Sequence, residues 1–148
     1  MQLARLVILN YFLILNFSIA YTKTLATVEE TEKLSKDVVI LFKDNEFAEA
    51  FDLLESYWPL PKNEIENLEE KTIVMMNTIR NRFGKVIDYV RVKKEIIGDV
   101  ATRETYLLCF ENTAIRMIFT YYRNLDGWIL NAFKWDDSFT DEFITVEE

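Results

Sequence analysis

Glu104, Tyr121 and Asn131 are the residues whose types and spacing could do chemistry. A carboxylate held beside a phenol in an apolar wall can have a raised pKa and act as a base. The same polar groups, convergent in a concave apolar site, can instead orient a small ligand without reacting with it. Tyr106 is expected one row deeper and Arg123 one row outward. The plain alternative is structural, because hydrogen-bonded polar side chains are normal at the end of a sheet. Catalysis, ligand contact and a structural role all stay open on these residues alone.

Two turns are expected to bring them together. The stretch Ala101 to Trp135 reads ATRETYLLCF ENT AIRMIFTYYR NLDG WILNAFKW, three β-rich runs separated by turn signals. Asn112-Thr113 suits a two-residue hairpin that sets Glu111 opposite Ala114. Asn124-Leu125-Asp126-Gly127 suits a type I turn ending in a left-handed Gly, which sets Asn124 opposite Trp128. Phe110, Leu108, Tyr106 and Glu104 then lie opposite Ile115, Met117, Phe119 and Tyr121. Tyr121, Phe119 and Met117 in turn lie opposite Asn131, Phe133 and Trp135. Both turns, read independently, select one apolar set on the middle strand as the inner face. Leu107, Ile118, Tyr122, Trp128 and Leu130 fall on the outer face, beside Cys109 and Arg116. That face is expected to seat a second copy or a partner protein, unless the first helix or the C-terminal tail covers it.

The segments before this meander read as helices that need a sheet to pack on. Thr27 and Glu30 form a capping box ahead of Leu34, Val38, Leu41 and Phe42, which predicts a helix over 28–43. Phe47, Ala50, Phe51, Leu54 and Trp58 mark a second over 46–57, ended by Pro59-Leu60-Pro61. Asn63 is the expected cap of a third, with Ile65, Leu68, Thr72, Met75, Met76, Ile79 and Phe83 as its stripe and Gly84 as its stop. Val86 to Ile97 reads as a strand, followed by a turn at Gly98-Asp99 of unfixed length. The faces of Tyr89 and Arg91 are therefore not set.

Composition bounds the function. The 148 residues leave room for one domain, and half of them are hydrophobic, enough for a packed core. The net charge of −8 disfavours nucleic acid and anionic membrane surfaces. There is no histidine, which removes His-based triads, His general bases and the commonest zinc ligand. Cys109 is the only cysteine, so no internal disulfide forms and no cysteine cluster holds a metal. Neither a metal nor another cofactor is expected. Asp136, Asp137, Asp141 and Glu142 lack the spacing of a calcium loop, and residues 138–148 are expected to form a solvated acidic tail.

Residues 1–20 read as an export signal: Arg5, an apolar run from Leu6 to Phe17, then Ser18-Ile19-Ala20 before a cut. Thr24-Leu25-Ala26 offers a second cut site, and an uncleaved anchor is the competing reading. The expected mature chain is periplasmic or secreted, does not bind membranes after cleavage, and folds as one domain over residues 27–137.

Three helices followed by a four-stranded antiparallel meander make an α+β chain. With that order, the signature TAIRMIFTYYRNLDGWILNAFKWDD, the pair Tyr121-Tyr122 and the Asp126-Gly127-Trp128 turn, the chain resembles the nuclear transport factor two-like (cystatin-like cone) superfamily. It is similar in particular to small exported bacterial proteins of that group. The resemblance covers about residues 28–137 and lacks the small hairpin usual between the second and third helices. It implies a curved sheet wrapped on the long helix, a cavity at the wide end, and dimerisation through the outer face. Members include isomerases, dehydratases and non-catalytic modules, so the resemblance implies no single function. The expectation is an exported, non-catalytic binding or interaction module. Glu104, Tyr106, Tyr121 and Asn131 are the candidate contacts for a small apolar ligand. The alternatives are a metal-free isomerase or lyase that uses a carboxylate and tyrosines, and a structural homodimerisation domain.

Overall fold

The computed structural model describes residues 22–145, and the leader reading on residues 1–20 lies outside them. The fold is α+β: three helices followed by a four-stranded antiparallel sheet in the order β1-β2-β3-β4.

Helix α1 runs Val28–Lys43. Thr27 Oγ1 accepts from the Glu30 N–H, and the Glu30 carboxylate accepts from Ala26 N–H, one residue further back than a standard capping box. Helix α2, Phe47–Glu55, carries Phe47, Ala50, Phe51 and Leu54 on its buried face. Helix α3, Lys62–Phe83, starts after Pro61 rather than at Asn63. Pro61 stands at the N-cap without a side-chain cap, and its carbonyl accepts from the Glu64 and Ile65 N–H groups. Of its expected stripe, Ile65, Thr72 and Met76 are buried, while Met75 is half exposed. Trp135 Nε1 donates to Thr72 Oγ1 at 3.1 Å and ties this helix to the sheet.

Strands β1 (Val86–Ile97), β2 (Ala101–Phe110), β3 (Ala114–Arg123) and β4 (Trp128–Asp136) form the meander. Its inner face buries Tyr106, Leu108, Ile115, Met117, Phe119, Tyr121, Leu130 and Phe133 against Val38, Phe42, Phe51 and Leu54 of the helices. Phe119, Phe133, Phe42 and Phe51 form the centre of that core, with ring centroids 5.0–6.2 Å apart.

The register departs from expectation at both turns, with different consequences. Between β2 and β3, Cys109 rather than Glu111 pairs with Ala114. Glu111 and Asn112 are drawn away to the end of α3, donating to Lys85 O and Phe83 O. The pairing moves by two residues, so every side chain keeps its face. Between β3 and β4, Arg123 rather than Asn124 pairs with Trp128. Asn124 Oδ1 accepts from the N–H groups of Asp126 and Gly127, which pulls Asn124 into the loop. The resulting one-residue offset is absorbed by a bulge at Asn131, beyond which Phe119 meets Phe133 and Met117 meets Trp135 as expected. A one-residue shift reverses faces. Trp128 and Leu130 therefore lie in the core and not on the outer face, and Asn131 is exposed instead of lining the inner face.

The first described residues belong to the fold. Leu25 exchanges both backbone hydrogen bonds with Trp128 and is itself buried. Leu130 N–H donates to Tyr57 O, so the free edge of β4 is covered at two points. Gly127 sits at φ 146°, and a Cβ there would lie 2.6 Å from Leu25 O, so only Gly admits this approach.

Candidate functional site

Strand β2 aims Glu104 and Tyr106 inward, β3 aims Tyr121 inward, and α1 lies over all three. Glu104 faces Phe119 and Lys94, and Tyr106 faces Met117 and Arg91. Tyr121 is thus diagonal to Glu104, not opposite it. Glu104, Tyr106 and Tyr121 are brought together; Asn131 and Arg123 are not part of the group, and Arg123 pairs with Asp99 at 3.5 Å.

Tyr121 and Glu104 have no solvent exposure. Ser35 Oγ donates its single proton to Thr31 O, so the Tyr121 hydroxyl 2.8 Å away is the donor to Ser35. The Tyr121 proton is therefore committed inside the core, and burial holds its phenol far above the ordinary range. Arg91 Nη2 lies 2.9 Å from Glu104 Oε1 and also pairs with Glu32 of α1, which Lys94 engages from the other side. Neither Glu104 oxygen has a well-directed hydrogen bond among the described residues. Burial pushes the Glu104 carboxyl above its usual range, partly offset by the Arg91 and Lys94 charges. Tyr106 is pushed up to about 12, first by burial and then by the Glu104 charge.

This arrangement acts as a clamp. Glu104, Arg91, Glu32 and Lys94 form a chain of alternating charge from the core to the surface, and it fixes α1 against β1 and β2. Arg91, Glu32, Lys94 and Ser35 escaped sequence reasoning. Arg91 and Lys94 required the β1 register, which depends on a three-residue loop and on bulges at Ile87 and Val92. Ser35 carried a usable signal, a small polar residue between Leu34 and Val38 on an apolar helical stripe. A hollow of about 520 Å³ opens beside the clamp, lined by Glu32, Lys36, Tyr89, Arg91 and Tyr106; neither Glu104 nor Tyr121 lines it. A separate hollow of about 500 Å³ lies towards β4, between α3 and the β2–β3 turn, lined by Met75, Ile79, Phe83, Ile115 and Trp135.

The outer face divides into two halves. Residues 139–142 form a 3-10 turn, named η1, rather than a freely solvated tail. Glu142 bridges Lys93 of β1 (2.7 Å) and Arg116 of β3 (2.9 Å), so this segment crosses β2 over the row Lys93, Thr105, Ile118 and Lys134. Asp136 and Asp141 also hold Arg116. Glu142 and Asp136 are consequently held below the usual carboxylate range, by Lys93 and by Arg116 respectively as the largest influences. Ile118 and Thr105 are buried under this strap. Nearer the β1–β2 and β3–β4 turns the face is open: Ile97, Ala101, Tyr122 and Ile129 form one row across all four strands. Ile97 is 72% exposed and Tyr122 45%. Of the five residues expected on the outer face, Leu107, Ile118 and Tyr122 lie on it; Ile118 is covered and Tyr122 is open.

Cys109 lies on the same face, where burial, with Asp88 beside it, raises its thiol above the usual value, the opposite of an activated nucleophile. Among the described residues no group of three or more His, Cys, Asp or Glu could hold a metal ion, and no helix is long and apolar enough to cross a membrane. No protein-family model, curated protein or solved structure matches this chain.

Proposed function

We propose that this chain is an exported, non-catalytic protein-interaction module that works through the open half of its outer sheet face. The observation that carries the reading is a contrast. The carboxylate and phenol that could do chemistry are sealed in the core and engaged by Arg91 and Ser35. Meanwhile Ile97 and Tyr122, with Val100 beside them, present apolar surface to solvent. Contiguous exposed apolar surface at the rim of a rigid sheet is where association gains most. The order of three helices and a meander supports the cone-like likeness and carries no function by itself.

A second reading rests on the hollow between α3 and the β2–β3 turn. Its lining of Met75, Ile79, Phe83 and Trp135 suits a small apolar ligand. Site-specific photocrosslinking separates the two. A photoreactive residue at Tyr122, installed in the native host, is expected to trap a protein partner, while the same residue at Met75 traps none. Crosslinking at Met75 and none at Tyr122 would reject the outer-face reading.

A further inference from the structure

The C-terminal strap is an acidic segment seated on a basic site. Four cations, one from each strand, ring Thr105 and Ile118 on the outer face. Lys93 and Lys134 flank the two in one row; Arg103 follows along β2 and Arg116 along β3. Arg103 donates to both oxygens of Glu95 at 2.8 Å, and Arg116 to both of Asp136 at 3.0 and 2.9 Å. Lys93 and Lys134 then remain, and the strap brings two carboxylates, Asp141 and Glu142, that match them in number. In a chain of 25 acidic and 17 basic residues, this ring is a local exception.

The strap holds its seat loosely. No residue of η1 belongs to the core. The backbone bonds of this segment are local, from Asp141 N–H to Ser138 O and from Phe143 N–H to Thr140 O. Ion pairs tie it down: Glu142 to Lys93 and Arg116, and Asp141 to Arg116. Pairs near a surface contribute little each. Phe143 and Ile144, just past the strap, are 78% and 84% exposed. Beneath it Thr105 is 1% exposed, yet its Oγ1 has no hydrogen-bond partner among the described residues. A buried hydroxyl left unpaired is costly, so an occupant that brought a polar group to Thr105 would fit the seat better than the strap does.

From the cation ring and the unpaired Thr105 hydroxyl we infer that this seat docks an acidic segment of a partner protein, and that the strap occupies it in the partner's absence. The inference rests on the interaction reading and gives the chemistry of the segment the partner brings. The seated occupant defines that chemistry: two adjacent carboxylates, both reaching Arg116 and one reaching Lys93. A groove of about 240 Å³, lined by Ile97, Ala101, Arg103 and Thr120, leads from the open rows to the ring, so one partner spans both. Being tethered, the strap competes at an effective concentration in the millimolar range and keeps weak ligands out.

Peptide binding tests this on two proteins, the chain begun at Tyr21 and the same chain carrying Asp141→Asn and Glu142→Gln, which frees the strap. The probe is a fluorescein-labelled synthetic peptide of residues 138–145, SFTDEFIT, followed by fluorescence anisotropy. It is expected to bind the freed chain about tenfold more tightly than the parent. That binding is expected to fade as salt rises from about 20 mM to about 500 mM. Adding Lys93→Gln and Lys134→Gln to the freed chain is expected to weaken it about tenfold again, and a peptide carrying Asp141→Asn and Glu142→Gln is expected not to bind. Circular dichroism of each variant establishes that it folds. Equal binding by parent and freed chain, binding by neither, or binding that survives loss of both lysines or of the peptide's acids overturns the seat. The photocrosslink at Tyr122 separates this from the reading beneath it. A protein trapped there without peptide binding overturns the seat and leaves the interaction reading standing. Peptide binding with nothing trapped at Tyr122 supports the seat and overturns the claim for the open half.

Discussion

At the scale of single residues, the buried polar groups hold helix α1 to the sheet. The Tyr121 hydroxyl has one partner, Ser35, and Ser35 has no other proton to accept in its place. Tyr121→Phe strands that acceptor inside the core and is expected to cost about 1–2 kcal/mol, read as a lower urea midpoint with an unchanged slope. A midpoint equal to that of the parent would show that the bond contributes nothing. Glu104 behaves differently, because folding raises its pKa above the usual 4.5. A carboxyl of this kind holds its proton more tightly when folded. Its contribution therefore favours folding below the unfolded value and is lost as pH rises through the folded one. Arg91 is not orphaned by removing this charge, since it is partly exposed and keeps Glu32. Glu104→Gln is thus expected to melt higher than the parent near pH 7, with the gap closing as the pH falls to about 4. A gap that widened on acidification would reverse the assignment.

The secondary-structure elements show which features were legible and which were not. Helix α1 and strand β1 could be read to their ends, because Thr27, Gly84 and the apolar spacing mark those boundaries locally. The β2 and β3 faces were legible although their pairing was displaced, because a two-residue displacement leaves the faces alone. The β4 face was lost over its first residues. Whether Asn124 pairs or caps its own loop is decided by an Asx hydrogen bond and by the approach of Leu25, neither of which has a periodic signature. That error moved Trp128 and Leu130 from core to surface, and Asn131 the other way. The candidate site was legible in its three inward side chains but not in Arg91, Glu32, Lys94 and Ser35, whose contacts span 59 residues or more between α1 and the sheet. Leu25 also bears on processing. A cut after Ala26 would remove a buried side chain and uncover the edge of β4 at Trp128. The mature N-terminus is expected at Tyr21, and a chain begun at Thr27 is expected to lose about 2–3 kcal/mol for Leu25 alone. An N-terminus mapped at Thr27, with stability equal to the longer form, would contradict this.

Over the whole molecule, helices close the inner face of the sheet and a short C-terminal strap closes half of the outer one. Arg91 and Glu104 belong to the closure, and the uncovered half-face leaves Ile97 and Tyr122 exposed. The central claim is that this protein works at that surface and carries no small molecule in its interior or beside α3. Mass spectrometry of compounds that co-purify with the chain begun at Tyr21, under native conditions, tests it most directly. The expected result is an empty protein, identical for the parent and for Ile79→Trp, which fills the hollow beside α3. A stoichiometric compound held by the parent and lost in Ile79→Trp would contradict the account and make that hollow the functional site.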